Sequence, residues 1–405
     1  MTQSQNEPVL NWDEDFDHAD PAYNKNIHQL WDTMREKCPM QHTPRYGGTW
    51  LPLSYEMIRA IAYDTDHFSS DGIIVSQDRP IVPRPVGAAP PLTSDPPFHA
   101  QARRLLLPPF SSKKVALLEN DIRLICIEQL NKLNINPDKL VIDAARDYAR
   151  HIPLKVIVTM LGLPLEDSEL LFSFIKSIIE DVNLSPDQLM ENRNTLDSYL
   201  DIKIAEHREH PRNDLISYLI QAEVDGRPLD AQHIRGTIAL IFIAGVDTTW
   251  SMIGASIWHL ASNPEDLKKL VQDPALMDSA IEEFLRAYAP VTMARLVTKD
   301  FNFFGHELKR DEWMLVPYPA ANRDPELFED AKNVHLDRKV NRHSAFGLGI
   351  HRCIGSNLAR LELKVAITEF IKRFPKFQLL DPNGVEWSHG QIRGPRKLDI
   401  LIQGH

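Results

Sequence analysis

The ten residues Phe346-Gly347-Leu348-Gly349-Ile350-His351-Arg352-Cys353-Ile354-Gly355, set directly before a helical pattern at 356–374, constrain this chain more than any other stretch. Gly347 and Gly349 open backbone conformations that other residues avoid, so the segment reads as a tight irregular turn. A cysteine just before a helix start sits in a positive field that favours thiolate, and amides of a glycine-rich turn can donate to its sulfur. A soft, charged metal ligand needs these surroundings. A dinucleotide loop is rejected, because Arg352 stands at the third glycine of GxGxxG and no strand–helix–strand unit surrounds it. Zinc through His351 and Cys353 lacks further ligands at zinc spacing. Cys38 and Cys126 read as structural. Three cysteines in 405 residues leave no disulfide scaffold and no four-cysteine iron–sulfur or zinc site.

Around this loop the chain reads as mainly helical with small β-sheets. Apolar residues recur at three-and-four spacing over 111–133, 141–161, 166–182, 186–209, 213–223, 231–262, 263–272, 278–287 and 356–374. Shorter helical patterns lie at 26–37 and 54–63. Strand-like pieces fall at 48–52, 73–75, 291–297, 301–304, 312–316 and 398–402. Two stretches break the helical rule: 72–97, with seven prolines between Pro80 and Pro97, and 326–355, which ends in the cysteine loop. No linker divides the chain, so one domain over 1–405 is expected, with 1–20 as a flexible tail. The polar, acidic N-terminus has no signal-peptide pattern. Pattern 231–262 carries Asp247 in its middle, so no membrane span is expected. The net charge of −11 argues against a general nucleic-acid binder. A cytoplasmic protein is the expectation.

Pattern 231–262 is long enough to cross the molecule, and Ala244-Gly245-Val246-Asp247-Thr248-Thr249 lies inside it. A mid-helix glycine beside paired threonines is a local conflict, since Gly costs about 1 kcal/mol against Ala and Thr hydroxyls compete for helix carbonyls. A buried Asp beside them is costly unless paired. Leu240, Ala244 and Thr248 follow at i, i+4, i+8 and share one face, with Ile243 flanking it.

The cysteine loop resembles the haem-binding signature FGxGxHxCxG of the cytochrome P450 family at every fixed position. The likeness extends over nearly the whole chain in the family's order and is to the soluble, single-domain bacterial type. It implies the P450 fold, with the long central helix over haem b and Cys353 as the axial ligand of the iron. A thiolate there pushes electron density toward bound oxygen. Phe346 would pack near the sulfur, with Gly347 and Ala244 against the haem. The central helix matches AGx(D/E)TT, which makes Asp247 and Thr248 the catalytic pair that delivers protons for O2 reduction. Glu283 and Arg286 match ExxR, and Arg338 would complete a structural Glu–Arg–Arg cluster. His99 and Arg103 match HxxxR; with Arg295 and His343 they fall where the family holds the haem propionates.

By the same resemblance the substrate pocket takes Leu240, Ile243, Val291, Met293 and Ile392 as an apolar floor, with Arg84 from the proline loop. Gln77, Asp78 and Arg79 of that loop face either the pocket or solvent. The implied activity is haem-thiolate monooxygenation of a small organic substrate. Electrons come from NAD(P)H through an acidic ferredoxin and its flavin reductase, docked on a patch of Arg103, Arg104, Lys113, Lys114 and Arg352. A weaker likeness, to P450s that demethylate methylated sugars, points to O-demethylation of a methyl ether such as 6-O-methyl-galactose, with release of formaldehyde. A terpene or aromatic-acid hydroxylase and a peroxide-driven peroxygenase are the alternatives. A haem-binding sensor is disfavoured, because it needs no proton relay.

Overall fold

The computed structural model describes residues 8–12, 15–75, 89–133, 141–179 and 186–403. Its centre is the 32-residue helix Ala231–Ser262, started by Asp230, whose side chain accepts from the His233 N–H at 2.7 Å. By length and composition this helix could span a membrane. Here it is the core: Ile234, Ile238, Phe242, Val246, Trp250, Ile253 and Ile257 are all buried in the largest apolar cluster. Helices His151–Leu161, Met277–Tyr288 and Ser356–Arg373 pack against it. The helix runs unbroken through Gly245. A Cβ there would fall 2.6 Å from Ile157 Cδ1, so the glycine permits close helix approach and makes no kink.

A five-stranded sheet stands beside the helices, in the order Met40–Thr43, Thr49–Pro52, Trp313–Pro317, Thr292–Val297, Phe68–Ser69. Trp313–Pro317 runs parallel to Thr49–Pro52 and antiparallel to Thr292–Val297, with Met314 opposite Arg295. Side chains alternate along Thr292–Val297, so Met293 and Arg295 share a face, continued by Val291 just before it. Val291 itself pairs with Ile392.

Several expectations change. Residues 141–161 do not form one helix. Val141–Asp143 is a strand against Asp399–Ile402, followed by the π-helical turn Ala144–Ala149 and then the helix His151–Leu161. Asp143 makes the break, its carboxylate accepting from the N–H groups of Ala145, Arg146 and Leu398. Residues 111–133 divide into Ser112–Ala116 and Glu119–Lys132. Residues 73–75 form no strand. The expected tail also ends early: Phe16 is buried against the cluster of Trp31 and Trp313, and Asp15 and Asp17 pair with the buried Arg45 at 2.9 and 3.4 Å.

Asp15 supplies a pH-dependent part of this clasp. Burial works against its charge, but the hydrogen bonds from Arg45 and Thr43 outweigh it and hold the carboxyl below its usual value. A lowered folded-state pKa gives stability that is present above the unfolded value and lost as pH falls through the folded one. Asp15→Asn is expected to cost about 1–3 kcal/mol at neutral pH. In urea unfolding the gap to wild type should stay constant through mild acid and narrow only below the ordinary carboxylate range.

Candidate haem and oxygen site

The cysteine loop is held open by its glycines. Gly347 and Gly349 have φ of 69° and 67°, and a Cβ on Gly349 would lie 1.9 Å from the Ala62 carbonyl oxygen. Cys353 N–H donates to Phe346 O at 2.7 Å and closes the turn. The thiol lies at an exposed recess. The recess walls raise its pKa; the Gly355 N–H and the charges of Arg103, Arg352 and Arg360 oppose that rise in part. Phe346 is half-buried, with the Arg360 guanidinium 4.5 Å from its ring centre.

Leu240, Ile243 and Thr248 are half-buried and Ala244 is exposed, in the middle of a helix whose flanking residues Ile241, Phe242, Val246 and Asp247 are buried. This open strip is the shared face read from the spacing. Thr248 Oγ1–H donates to Ala244 O at 2.8 Å. Asp247, one residue away, is 1% exposed and accepts from Arg396 Nη2 at 2.6 Å. Val291, Met293 and Ile392 are half-buried. Arg84, with Gln77, Asp78 and Arg79, lies outside the described residues.

A cationic and imidazole cluster gathers beside the cysteine loop. The His99 and His351 rings stand 4.4 Å apart, and His351 Nε2 meets Ser70 Oγ at 2.9 Å. His99 Nε2 is buried without a hydrogen-bond partner. Burial, then the nearby Arg103, pushes His99 down to about 4; burial, then Arg295, pushes His351 to about 2. Arg295 is buried, and its Nη1 donates to the Ala294 carbonyl at 2.7 Å. Arg103 donates to Arg352 O at 2.6 Å and so ties its helix to the cysteine loop.

His343 does not join this cluster. Its Nε2 lies 3.0 Å from Glu282 Oε2, and its Nδ1 accepts from Ala345 N–H. Arg360 grips the same carboxylate at 2.6 and 2.8 Å. Burial opposes charge on Glu282, but the Arg360 and His343 bonds hold its carboxyl at about 2. Both His343 ring nitrogens are therefore used, and the histidine that stands beside His99 is His351. The sequence carried that signal, since His351 is the fixed histidine of the motif.

Glu283, Arg286 and Arg338 come together as expected. Arg286 binds Glu283 through Nε at 2.8 Å and Nη2 at 2.7 Å, and Arg338 Nε donates to Glu283 Oε2 at 2.9 Å. Asn341, not foreseen, adds a bond at 3.0 Å.

A flat, dianionic macrocycle with a soft-ligand iron fits these residues. They offer an exposed cysteine, an open strip at Ala244, a buried His99 nitrogen that meets no hydrogen-bond partner among the described residues, and a buried Arg295 that meets no carboxylate among them.

Comparison with known proteins agrees. The family model described as Cytochrome P450 matches residues 53–386. A cytochrome P450 of Bacillus subtilis (strain 168) is 39% identical over 293 residues, 71% of this chain and 70% of that protein. The mycinamicin IV hydroxylase/epoxidase of Micromonospora griseorubida is 29% identical, covering 88% of this chain and 91% of its own. The solved structure of the Bacillus subtilis 168 bacillaene polyketide synthase P450 PksS matches with a TM-score of 0.87, at 26% identity, over 96% of this chain and 100% of that one. The chain belongs to the cytochrome P450 family. It is a monooxygenase that uses haem b, O2 and electrons delivered by partner proteins.

Gly349→Ala tests the loop. A non-glycine residue at positive φ costs of order 1–3 kcal/mol before any clash, and here the Cβ also meets a backbone oxygen. The variant should fold with reduced haem content, seen as a lower ratio of Soret to protein absorbance.

Proposed function

We propose that Cys353 ligates the haem iron, that His99, Arg103, Arg295 and His351 hold the propionates, and that Asp247 and Thr248 manage protons at the oxygen side. Haem, when bound, supplies O2 activation and oxygen insertion into a C–H bond. The protein's own residues govern water and protons. Thr248 faces the open strip, and its hydroxyl oxygen keeps acceptor capacity for a water there. Asp247 has no direct solvent access, so protons reach it through its polar neighbours. The observation that carries this reading is the open strip of Leu240, Ala244 and Thr248 beside the buried acid Asp247 on the central helix.

Cys353→Ser should abolish the red-shifted Soret band of the ferrous–CO complex; survival of that band would refute the ligand assignment. Thr248→Ala should leave haem content and substrate affinity near wild type. Product per NADH should fall about tenfold or more while H2O2 rises. Asp247→Asn should lower total turnover more than coupling. Turnover with H2O2 alone at the NADH-driven rate would favour a peroxygenase instead.

The substrate proposed is an oxygenated organic molecule, and the reaction O-demethylation of a methyl ether such as 6-O-methyl-galactose. Hydroxylation of a methoxy carbon gives a hemiacetal that collapses to alcohol and formaldehyde. The oxygenated class is supported by a relative whose name places it in polyketide biosynthesis, and the apolar floor of Leu240, Ile243, Val291, Met293 and Ile392 would hold the substrate's carbon groups. Methyl ethers, terpenes and fatty acids are to be screened by displacement of the haem water, with formaldehyde assayed for each hit. A response confined to terpenes or fatty acids would refute demethylation and leave monooxygenation standing.

Electrons are proposed to come from an acidic ferredoxin docked near Arg104, Lys113, Lys114 and Arg352, all exposed on the cysteine side. Arg103 is half-buried and occupied by Arg352 O. The electron-transfer rate should fall as salt rises, and a salt-independent rate would refute electrostatic docking.

A further inference from the structure

The segment that follows the small strand Glu386–Trp387 lies directly on the central helix. A Cβ on Gly394 would fall 2.3 Å from Ser251 Cβ, and one on Gly254 would touch Pro395 at 3.4 Å. Ser388 pins the turn: its Oγ–H donates to Ile392 O at 2.7 Å, and its oxygen accepts from Gly394 N–H at 3.0 Å. Arg396, in the strand Pro395–Lys397, therefore reaches the helix from a fixed base.

Its side chain spans one helical turn. Nη2 donates to Asp247 Oδ1 at 2.6 Å, and Nη1 donates to Ser251 Oγ at 3.0 Å. The guanidinium lies 4.1 Å from the Trp250 ring centre, and Arg146 Nε donates to the Arg396 carbonyl at 3.1 Å. Arg396 keeps 11% side-chain exposure where Asp247 has 1%. Ile392, four residues earlier, pairs with Val291 of the proposed substrate floor, so one segment carries both contacts.

We propose that Arg396 is the positioning residue for Asp247: it holds the buried carboxylate in the orientation from which Asp247 serves Thr248. The inference rests on the role given to Asp247 above. A buried carboxylate without its cation neutralises or turns away. The planar guanidinium fixes direction as well as charge, because its two ends are held by Asp247 and Ser251. The motif that marks Asp247 contains nothing of Arg396, which lies 149 residues on.

The test uses the full-length holoenzyme with NADH, ferredoxin and ferredoxin reductase, with no organic substrate added. H2O2 formed per NADH and the solvent deuterium isotope effect on NADH oxidation are measured. Arg396→Met and Asp247→Asn should each raise the isotope effect about two- to threefold and enlarge the H2O2 share. Arg396→Lys, which keeps the charge but not the planar two-ended grip, should fall between wild type and Arg396→Met. Independently of activity, the melting temperature lost in Arg396→Met should be largely regained in Asp247→Asn/Arg396→Met, because the uncompensated charge is gone. Wild-type isotope effect and peroxide share in Arg396→Met, whatever its melting temperature, would overturn the proposal, as would an Arg396→Lys enzyme no closer to wild type than Arg396→Met. If Asp247→Asn itself changes neither quantity, the underlying role of Asp247 fails instead. Should Arg396→Met not retain haem, Arg396→Gln decides by the same criteria.

Discussion

The Glu283 carboxylate is the point on which the haem side of the molecule depends. It has no solvent exposure and accepts five hydrogen bonds: two from Arg286 and one each from Arg338, Asn341 and the His335 N–H. Burial alone would neutralise it, yet these donors keep its carboxyl below the ordinary range. Arg286 then spends its remaining donors on the carbonyls of Asn322, Ala331 and Asn333. The run 326–355 has no ladder of its own, and this cluster supplies the missing backbone partners. Removing one member of such a group leaves a buried charge uncompensated, which costs about 3–5 kcal/mol.

From that anchor the chain enters the cysteine loop on a defined path. Ser344 is fixed by Asn322, and His343 with Arg360 is fixed by Glu282. Adjacent glutamates on one helix thus serve different ends of the same irregular stretch. The loop needs this support because its own conformation is strained-looking only for residues with a Cβ; with glycine at 347 and 349 it costs little, and it brings Gly349 against the Ala62 carbonyl.

The central helix works by a similar division. Its apolar residues face the core on most sides, which leaves one more open strip, while Asp247 and Ser251 turn to Arg396. Gly245 is a spacer that lets Ile157 come close. The local conflict visible at Gly245 is therefore a packing device, while the buried acid beside it keeps its functional reading.

Sequence alone determined whatever is local and periodic. The 32-residue helix, the Leu240–Ala244–Thr248 face, the Glu283–Arg286 spacing and the loop around Cys353 depend on neighbours within one or two turns, so their residues carry the signal. The loop around Cys353 stood out because two glycines, a histidine and a cysteine at fixed spacing have few other uses, and the structure forms it as a tight turn with both glycines at positive φ. Tertiary structure decided where long-range partners compete. His343 falls to Glu282 across 61 residues, and His351 joins His99 in its place. Residues 141–143 leave helix for strand because the chain end near Ile400 offers a ladder that no local pattern reveals. Arg396 reaches Asp247 only because Gly394 lets two distant segments touch. A side chain's partner across the fold is set by which backbones meet, and periodicity in one segment carries no information about that meeting.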